Sequence, residues 1–67
     1  MEGKLRMTIK AARVNKGLRQ SDMAIALHVT KKTVSSWETG KARPTLDKVE
    51  PICALLGVKY DDIQWIV

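Results

Sequence analysis

The chain is short of the residues from which disulfide frameworks, metal centres and membrane spans are built. It has one cysteine in 67 residues and no CxxC or Cys/His cluster, which excludes a disulfide framework and argues against a zinc site. No apolar run approaches the roughly 18 residues that indicate a membrane helix, and the N-terminal segment lacks the apolar stretch of a secretory signal. A reducing cytoplasm, with no membrane partner, is therefore the expected location.

The residue combinations of common active sites are also missing from the sequence. The chain has one histidine and one cysteine, no glycine-rich phosphate loop, and no pair of carboxylates in a plausible cleft. We therefore expect a protein that is not an enzyme and needs no cofactor or small-molecule substrate. No segment alternates between apolar and polar residues as a half-buried strand does, so no strand is expected.

Positive charge, by contrast, is abundant and unevenly distributed. Lys and Arg number 12 against seven Asp and Glu, a formal net charge of +5. Residues 1–49 hold eleven basic and four acidic side chains, a net of +7, whereas residues 50–67 hold one basic and three acidic side chains, a net of −2. A basic body with an acidic end suits a surface that binds a polyanion. A solvated cationic surface is the alternative, and charge alone does not separate the two.

Apolar residues at helical spacing predict an all-α domain, a compact bundle of five short helices. Residues 1–7 are expected to be a flexible lead-in, and residues 8–67 the domain. The second helix should run from about Gln20 to Leu27, and a last short helix should hold Asp61, Asp62 and Ile63. The predicted helix starts and stops are Thr8 to near Gly17, Thr30 to Gly40, and Thr45 to Gly57.

Pro51 falls inside the fourth predicted helix, where its missing N–H and its ring disturb the helical hydrogen bonds. The helix is therefore expected to start later, near Val49 or Glu50, or to bend at this position.

The third predicted helix has two different faces. Val34 and Trp37 lie on one side at helical spacing, and Lys32, Ser35 and Ser36 lie on the other. Lysine can donate to guanine and serine can bond either kind of base edge, and this spacing matches the width of one DNA groove. Ordinary solvent-facing residues are the alternative interpretation of the same three side chains.

The run LRQSDMAIALHVTKKTVSSWETGKARPTLDKV resembles the helix-turn-helix of phage repressor and Cro proteins and of their wider bacterial relatives. The glutamine that opens helix 2, MA within it, VT at the turn, TVSSWETG in helix 3 and LLGV after helix 4 all occur at the family's spacing. The resemblance extends from about Ile9 to Ile63. It implies a lambda-repressor-like, sequence-specific DNA-binding domain whose helices 2 and 3 form the helix-turn-helix, with helix 3 in the major groove.

The spacing and the resemblance together assign candidate contacts to double-stranded DNA. Base contacts are expected from Lys31, Lys32, Ser35 and Ser36. Phosphate contacts, which position the protein without recognising sequence, are expected from Gln20, Thr30, Lys41 and Arg43. In the family, the glutamine also braces helix 3; an ordinary exposed residue is the alternative at that position.

Arg13 and Glu38 are predicted to form a structural ion pair. Glu38 lies on the apolar side of helix 3, where an unpaired carboxylate is costly. The resemblance implies an arginine at the position of Arg13 as its partner, which would fix helix 1 against helix 3. An Arg13 turned towards phosphate is the alternative.

The sequence departs from the family's pattern at the turn and at the start of helix 2. His28 stands where the family usually has glycine, so a positive φ there would be strained, although histidine tolerates it better than most residues. Arg19 replaces the usual Ser or Thr before helix 2 and is a poor N-cap.

These features predict a Cro-like transcriptional repressor that occupies a DNA operator and blocks or redirects polymerase. One helix-turn-helix recognises only a few base pairs, so a palindromic operator and a weak homodimer are expected. The predicted dimer contact is Trp65, Ile66 and Leu55; the alternative is that the C-terminal residues fold back onto helix 1 or fray. An antitoxin-like or protein-interaction module on the same frame is the alternative function, although lysine and serine on helix 3 favour DNA.

Overall fold

Four α-helices and two very short strands make up the part of the chain that the computed structural model describes, residues 6–66. Residues 1–5, which belong to the predicted lead-in, and residue 67 lie outside the described residues. No helix between residues 6 and 66 has the length and apolarity that a membrane crossing requires. In chain order the elements are β1 (Met7–Thr8), α1 (Ile9–Asn15), α2 (Gln20–Leu27), α3 (Lys31–Thr39), α4 (Leu46–Leu56), a 3₁₀ turn (Tyr60–Asp62) and β2 (Ile63–Gln64).

Three of the four α-helices start directly after their predicted capping residues, Thr8, Thr30 and Thr45, and α2 starts at Gln20 as predicted. Thr8 Oγ1 accepts a hydrogen bond from the amide of Ala11 at 3.0 Å, which satisfies one of the free donors at the start of α1. Thr45 occupies the cap position of α4, but its hydroxyl donates to the carboxylate of Asp47 rather than capping an amide. The prediction of these four helices is confirmed.

The predicted fifth helix is a single 3₁₀ turn that holds Asp61 and Asp62 but not Ile63, and the expected absence of strands is wrong for residues 6–66. Ile63 is 1% exposed and has extended backbone angles, φ −109° and ψ 136°, because it fills the core while its backbone pairs with Met7 in a parallel ladder. The single turn before it is closed by the Asp62 amide, which donates to the Lys59 carbonyl at 2.9 Å, and it is capped by the Lys59 amide, which donates to the Asp62 carboxylate at 2.9 Å. Strands of two residues are too short for alternation to reveal them.

Helix α4 begins at Leu46 and continues through Pro51 to Leu56, so the later start suggested by the proline is wrong. Pro51 lies on the exposed side of the helix, and so does Asp47, whose carbonyl is the partner that the missing N–H would have had. Water can satisfy a carbonyl at that exposed position, which explains how the helix accommodates the proline.

One hydrophobic core joins all the elements. Val34 and Trp37, from the apolar face of α3, are 0% and 4% exposed within it. Their burial fixes which side of α3 is left outside. The buried apolar residues are Ile9, Ala12, Met23, Ala24, Leu27, Val34, Trp37, Ile52, Leu56 and Ile63.

Candidate nucleic-acid interface

Helix α3 has well-defined ends because its flanking residues satisfy its terminal backbone groups. Thr30 is the N-cap, and its Oγ1 accepts a hydrogen bond from the Thr33 amide at 3.1 Å. At the other end Gly40 has φ 83°, a left-handed conformation that glycine adopts without the steric cost of a Cβ. The amides of Lys41 and Ala42 both turn back to the Ser36 carbonyl, at 3.0 Å and 3.3 Å.

The outer face of α3 carries the residues predicted to contact bases. Lys31 and Lys32 are exposed, whereas Ser35 and Ser36 are half-buried. Lys32 and Ser36 are four residues apart and project from the same side, opposite the buried seam. Two long cationic side chains therefore precede two short hydroxyl groups along the helix.

Glu38 is the point at which α1, α2 and α3 are joined. Arg13 Nε donates to Glu38 Oε2 at 2.7 Å, and Arg13 Nη2 donates to Oε1 at 3.2 Å. Both side chains are removed from solvent, 10% and 3% exposed. Arg13 Nη1 also donates to the Leu18 carbonyl at 2.8 Å, so all three nitrogens of the guanidinium have partners. The pair predicted from sequence is thus a bidentate, charge-assisted contact between two buried side chains.

Gln20 is connected to this ion pair. Its Nε2 donates to Glu38 Oε1 at 3.0 Å from the first position of α2. A side-chain amide carries two N–H donors, and one of them serves Glu38. The brace to α3 is part of the structure; the phosphate contact stays a prediction.

The turn between α3 and α4 presents basic side chains beside the outer face of α3. Lys41 and Arg43 are both exposed there. Because the Lys41 amide is used to close α3, this residue can offer a phosphate its ammonium group but not its backbone N–H. Thr30, Lys41 and Arg43 thus lie beyond the two ends of α3.

The chain is similar to known helix-turn-helix proteins over the segment that contains α1 to α4. A family model described as helix-turn-helix matches residues 9–63. The chain belongs to the helix-turn-helix family of the phage Cro and repressor type. It is 44% identical over 39 residues to the 26 kDa repressor protein of Escherichia phage HK022, covering 58% of this chain and 17% of the relative.

A second relative of this helix-turn-helix protein is the HTH-type transcriptional activator BcrR of Enterococcus faecalis. It is 29% identical over 55 residues, which cover 82% of this chain and 27% of the activator. The chain thus spans well under a third of the length of either relative, and the two relatives carry opposite regulatory names. No solved structure is significantly similar to the chain.

The turn of the helix-turn-helix has a left-handed residue where the family usually has glycine. His28 has φ 58° and ψ 42°, and its amide donates to carbonyls in the last turn of α2. The Val29 amide also returns to the Ala24 carbonyl, at 3.0 Å. This geometry ends α2 and redirects the chain towards the cap of α3, at a modest steric cost to a side chain with a Cβ.

Helix α2 is capped from inside the helix, a feature that the sequence analysis missed. Arg19 is a poor cap because its side chain has only donors, but its backbone N–H donates to Asp22 Oδ2 at 2.8 Å. That backbone hydrogen bond, followed by the one from the Arg19 side chain, lowers the pKa of Asp22. The acid three residues after Arg19 was the available signal, because it is half of a capping box.

The Asp22 contact predicts a specific dependence of stability on pH. The pKa of Asp22 is lower in the folded protein than in the unfolded chain. The hydrogen bonds of its carboxylate therefore contribute fully to stability above the ordinary aspartate pKa of about 3.9. This stabilisation is lost as the pH falls below that value and through the pKa of the folded state. Asp22→Asn should therefore lower the Tm at neutral pH, and the difference from the wild type should shrink in strong acid.

Thermal melts of the wild type and Asp22→Asn from neutral to strongly acidic pH measure this effect. Asp61→Asn, which removes one exposed carboxylate from the 3₁₀ turn, is the control for the change in net charge. A difference in Tm between the wild type and Asp22→Asn that is the same at every pH would contradict this account.

The basic residue Lys48 was not among the predicted site residues. Its Nζ donates to the Leu27 carbonyl at 3.0 Å, which joins α4 to the last residue of α2. The two residues are 21 positions apart, so no local pattern in the sequence could have indicated the contact.

The residues predicted to form a dimer contact differ in their surroundings. Leu55 and Trp65 are half-buried and pack against the core, while Ile66 is 62% exposed. The Trp65 indole stacks on Tyr60 with a centroid distance of 5.5 Å, and its Nε1 donates to the Tyr60 carbonyl at 2.9 Å. Trp65 is therefore held by its own chain and forms one wall of a surface groove of about 220 Å³. We call this the C-terminal groove; it is lined by Arg43, Pro44, Leu46, Val49, Tyr60, Trp65 and Ile66.

Proposed function

We propose that this protein is a sequence-specific, double-stranded DNA-binding transcriptional regulator that acts as a Cro-like repressor by occupying an operator. The observation that carries the proposal is the outer face of α3, where two exposed lysines precede two hydroxyl groups, opposite a buried apolar seam. The ammonium and hydroxyl groups can donate hydrogen bonds to base edges, and the hydroxyl groups can also accept them. An α-helix fits into the major groove of DNA.

The groups beyond both ends of α3 support the same orientation on DNA. At the N-terminal end lies Thr30; at the C-terminal end lie the amide of Gln20, which is bonded to Glu38, and the exposed side chains of Lys41 and Arg43. Contacts from two separated positions to the phosphate backbone would fix the register of α3 in the groove. Lys31 and Lys32 would then reach base edges at its N-terminal half, as recognition helices commonly do.

Selection of bound duplexes from a random pool tests the proposal. The wild type should enrich one palindromic sequence. A variant with Lys32→Ala and Ser36→Ala should lose that enrichment, while Lys10→Ala, which removes an exposed lysine from α1, should retain it. Binding without enrichment of any sequence would overturn sequence-specific recognition, and no binding at all would overturn the proposed function.

The proposal includes a weak homodimer, because a single α3 cannot select one site among a genome's competitors. The C-terminal groove is the surface that supports it. Leu46 is 89% exposed at its edge, next to Tyr60 at 59% and Ile66 at 62%. Large apolar side chains that are this exposed and adjacent are typical of a protein contact. The antitoxin-like alternative uses the same surface for a different protein, so the size of the assembly distinguishes the two.

Placing a charge in the C-terminal groove should separate the protomers. Burying one leucine is worth about 1.5–3 kcal/mol, so Leu46→Glu should weaken self-association by roughly 10- to 150-fold. Ile66→Glu should act in the same direction. Sedimentation equilibrium without DNA measures the dimer constant directly and avoids the effect of the added charge on operator binding.

Ile25→Glu is the matched control, because Ile25 is an apolar side chain 76% exposed on α2 and does not line the groove. It should leave the dimer constant unchanged. A wild type that stays monomeric at high micromolar concentration, or an effect of Ile25→Glu equal to that of Leu46→Glu, would refute this dimer surface.

A further inference from the structure

Lys48 makes a contact between segments that are distant in sequence. It lies in the first turn of α4, is half-buried, and donates from Nζ to the carbonyl of Leu27 at 3.0 Å. Leu27 is the last residue of α2 and is itself 4% exposed. Lysine side chains at protein surfaces are normally free in solvent, so a defined, partly buried bond needs an explanation.

The carbonyl that Lys48 reaches belongs to the end of a helix. The last four carbonyls of an α-helix have no partner within the helix and carry the negative end of its dipole. The amides of His28 and Val29 turn back to carbonyls at Ala24 and Ile25, but the Leu27 carbonyl lies beyond their reach. A cation at this position both satisfies the acceptor and opposes the dipole.

The bond also fixes the turn that leads into the recognition helix. Leu27 is followed directly by His28, which has a left-handed backbone conformation. Thr30, the N-cap of α3, comes three residues after Leu27. The direction in which the chain enters α3 is therefore set from α4 as well as from α2. Helix α4 in turn begins just after the turn that carries Lys41 and Arg43, so one hydrogen bond connects the segments that precede and follow α3.

We propose that Lys48 is a positioning residue for base recognition: its ammonium group closes the C-terminus of α2 and holds the helix-turn-helix turn against α4. The proposal rests on the proposed DNA-binding function. It assigns Lys48 no contact with DNA. Its loss should therefore reduce discrimination between sequences, because base contacts depend on the direction of α3 more strongly than phosphate contacts do.

The competing account is that Lys48 is one more cation in the basic field of the protein. In that case its removal lowers binding to every duplex alike and reduces the salt dependence. The two accounts predict different results for the same variant, because only the positioning role changes the ratio of specific to random binding.

Lys48→Met tests the proposal, since methionine keeps most of the apolar stem and removes the ammonium group. Amide hydrogen exchange should accelerate on the order of 10-fold at His28 and Val29, whose amides bond carbonyls of α2, and stay unchanged in α1. The ratio of affinities for the selected operator and a random duplex should fall by a similar factor. Lys48→Arg, which restores a cationic donor, should recover most of both effects. Lys10→Met is the control for loss of one exposed positive charge and should leave the exchange rates and the ratio unchanged.

Unchanged exchange at the turn, together with equal losses on specific and random duplexes, would overturn the positioning role. Melting curves of each variant, taken before the binding measurements, show that the comparison is between folded proteins. If Lys48→Met does not fold, Lys48→Gln is measured in its place with the same expectations. Should the wild type select no duplex at all, the proposed function fails, and the exchange at His28 and Val29 decides alone whether Lys48 holds the turn.

Discussion

Glu38→Ala is expected to lower the free energy of unfolding by about 3–5 kcal/mol, the typical cost of removing one partner from a buried ion pair. The substitution leaves the Arg13 guanidinium 10% exposed with only the Leu18 carbonyl as a partner. Gln20 loses its acceptor in the same step. A domain of this size has about 3–10 kcal/mol of stability in total, so the variant should be close to unfolded at room temperature. Urea denaturation at low temperature measures the difference.

Two further variants separate the cost of an unpaired charge from the value of the pair itself. Arg13→Met combined with Glu38→Leu should recover part of the loss, because apolar residues of similar volume need no partner. Glu50→Ala, at an exposed carboxylate on α4, is the control and should change stability by less than about 0.5 kcal/mol. If Glu38→Ala were tolerated as well as Glu50→Ala, the ion pair would contribute nothing to the fold.

Lys32→Ala is expected to weaken binding to the preferred operator by about 1–3 kcal/mol, roughly 5- to 150-fold, and to relax the preference at one base pair. The reason is that Lys32 is exposed on the outer face of α3, where a donor to a base edge is lost and nothing replaces it. Titrations of the operator and of single-base variants, at several salt concentrations, measure both effects.

Lys41→Ala should behave differently, although it removes the same charge. Lys41 lies in the turn after α3 and should contact phosphate. Its loss should therefore lower the affinity for all DNA sequences alike. The slope of log affinity against log salt concentration should decrease by about one. Lys10→Ala in α1 provides the reference for a lysine outside the interface. Equal losses on specific and random duplexes for both Lys32→Ala and Lys41→Ala would contradict the division between base and phosphate contacts.

The parts of this structure that sequence predicts well are those determined by neighbouring residues. Thr30 and Gly40 bound α3 because a hydroxyl cap and a left-handed glycine are local devices, and both are visible in the sequence. The buried face of α3 follows from Val34 and Trp37 at helical spacing. The family model, which matches residues 9–63, supports the same interpretation from an independent comparison.

The parts that sequence analysis missed depend on contacts between distant segments. The Lys48 bond to Leu27 crosses from α4 to α2, and Ile63 adopts an extended backbone because Met7 lies beside it. Neither partner can be found by inspecting the residues around the other. Trp65 was predicted to be a free interface anchor, yet its indole is held by Tyr60, only five residues earlier in the chain. Asp22 is an exception, because its capping role was local and could have been found.

The β1–β2 ladder has a consequence for the order in which the domain folds. Met7 pairs with Ile63, so the ladder closes a loop that contains all four α-helices. Closing a long loop costs more chain entropy than closing a short one, and two residue pairs return little free energy until the intervening helices have shortened the chain. We therefore expect the ladder to form after the helices have assembled. The burial of Ile63, and with it the seating of the segment that carries Tyr60 and Trp65, should then be a late step of folding.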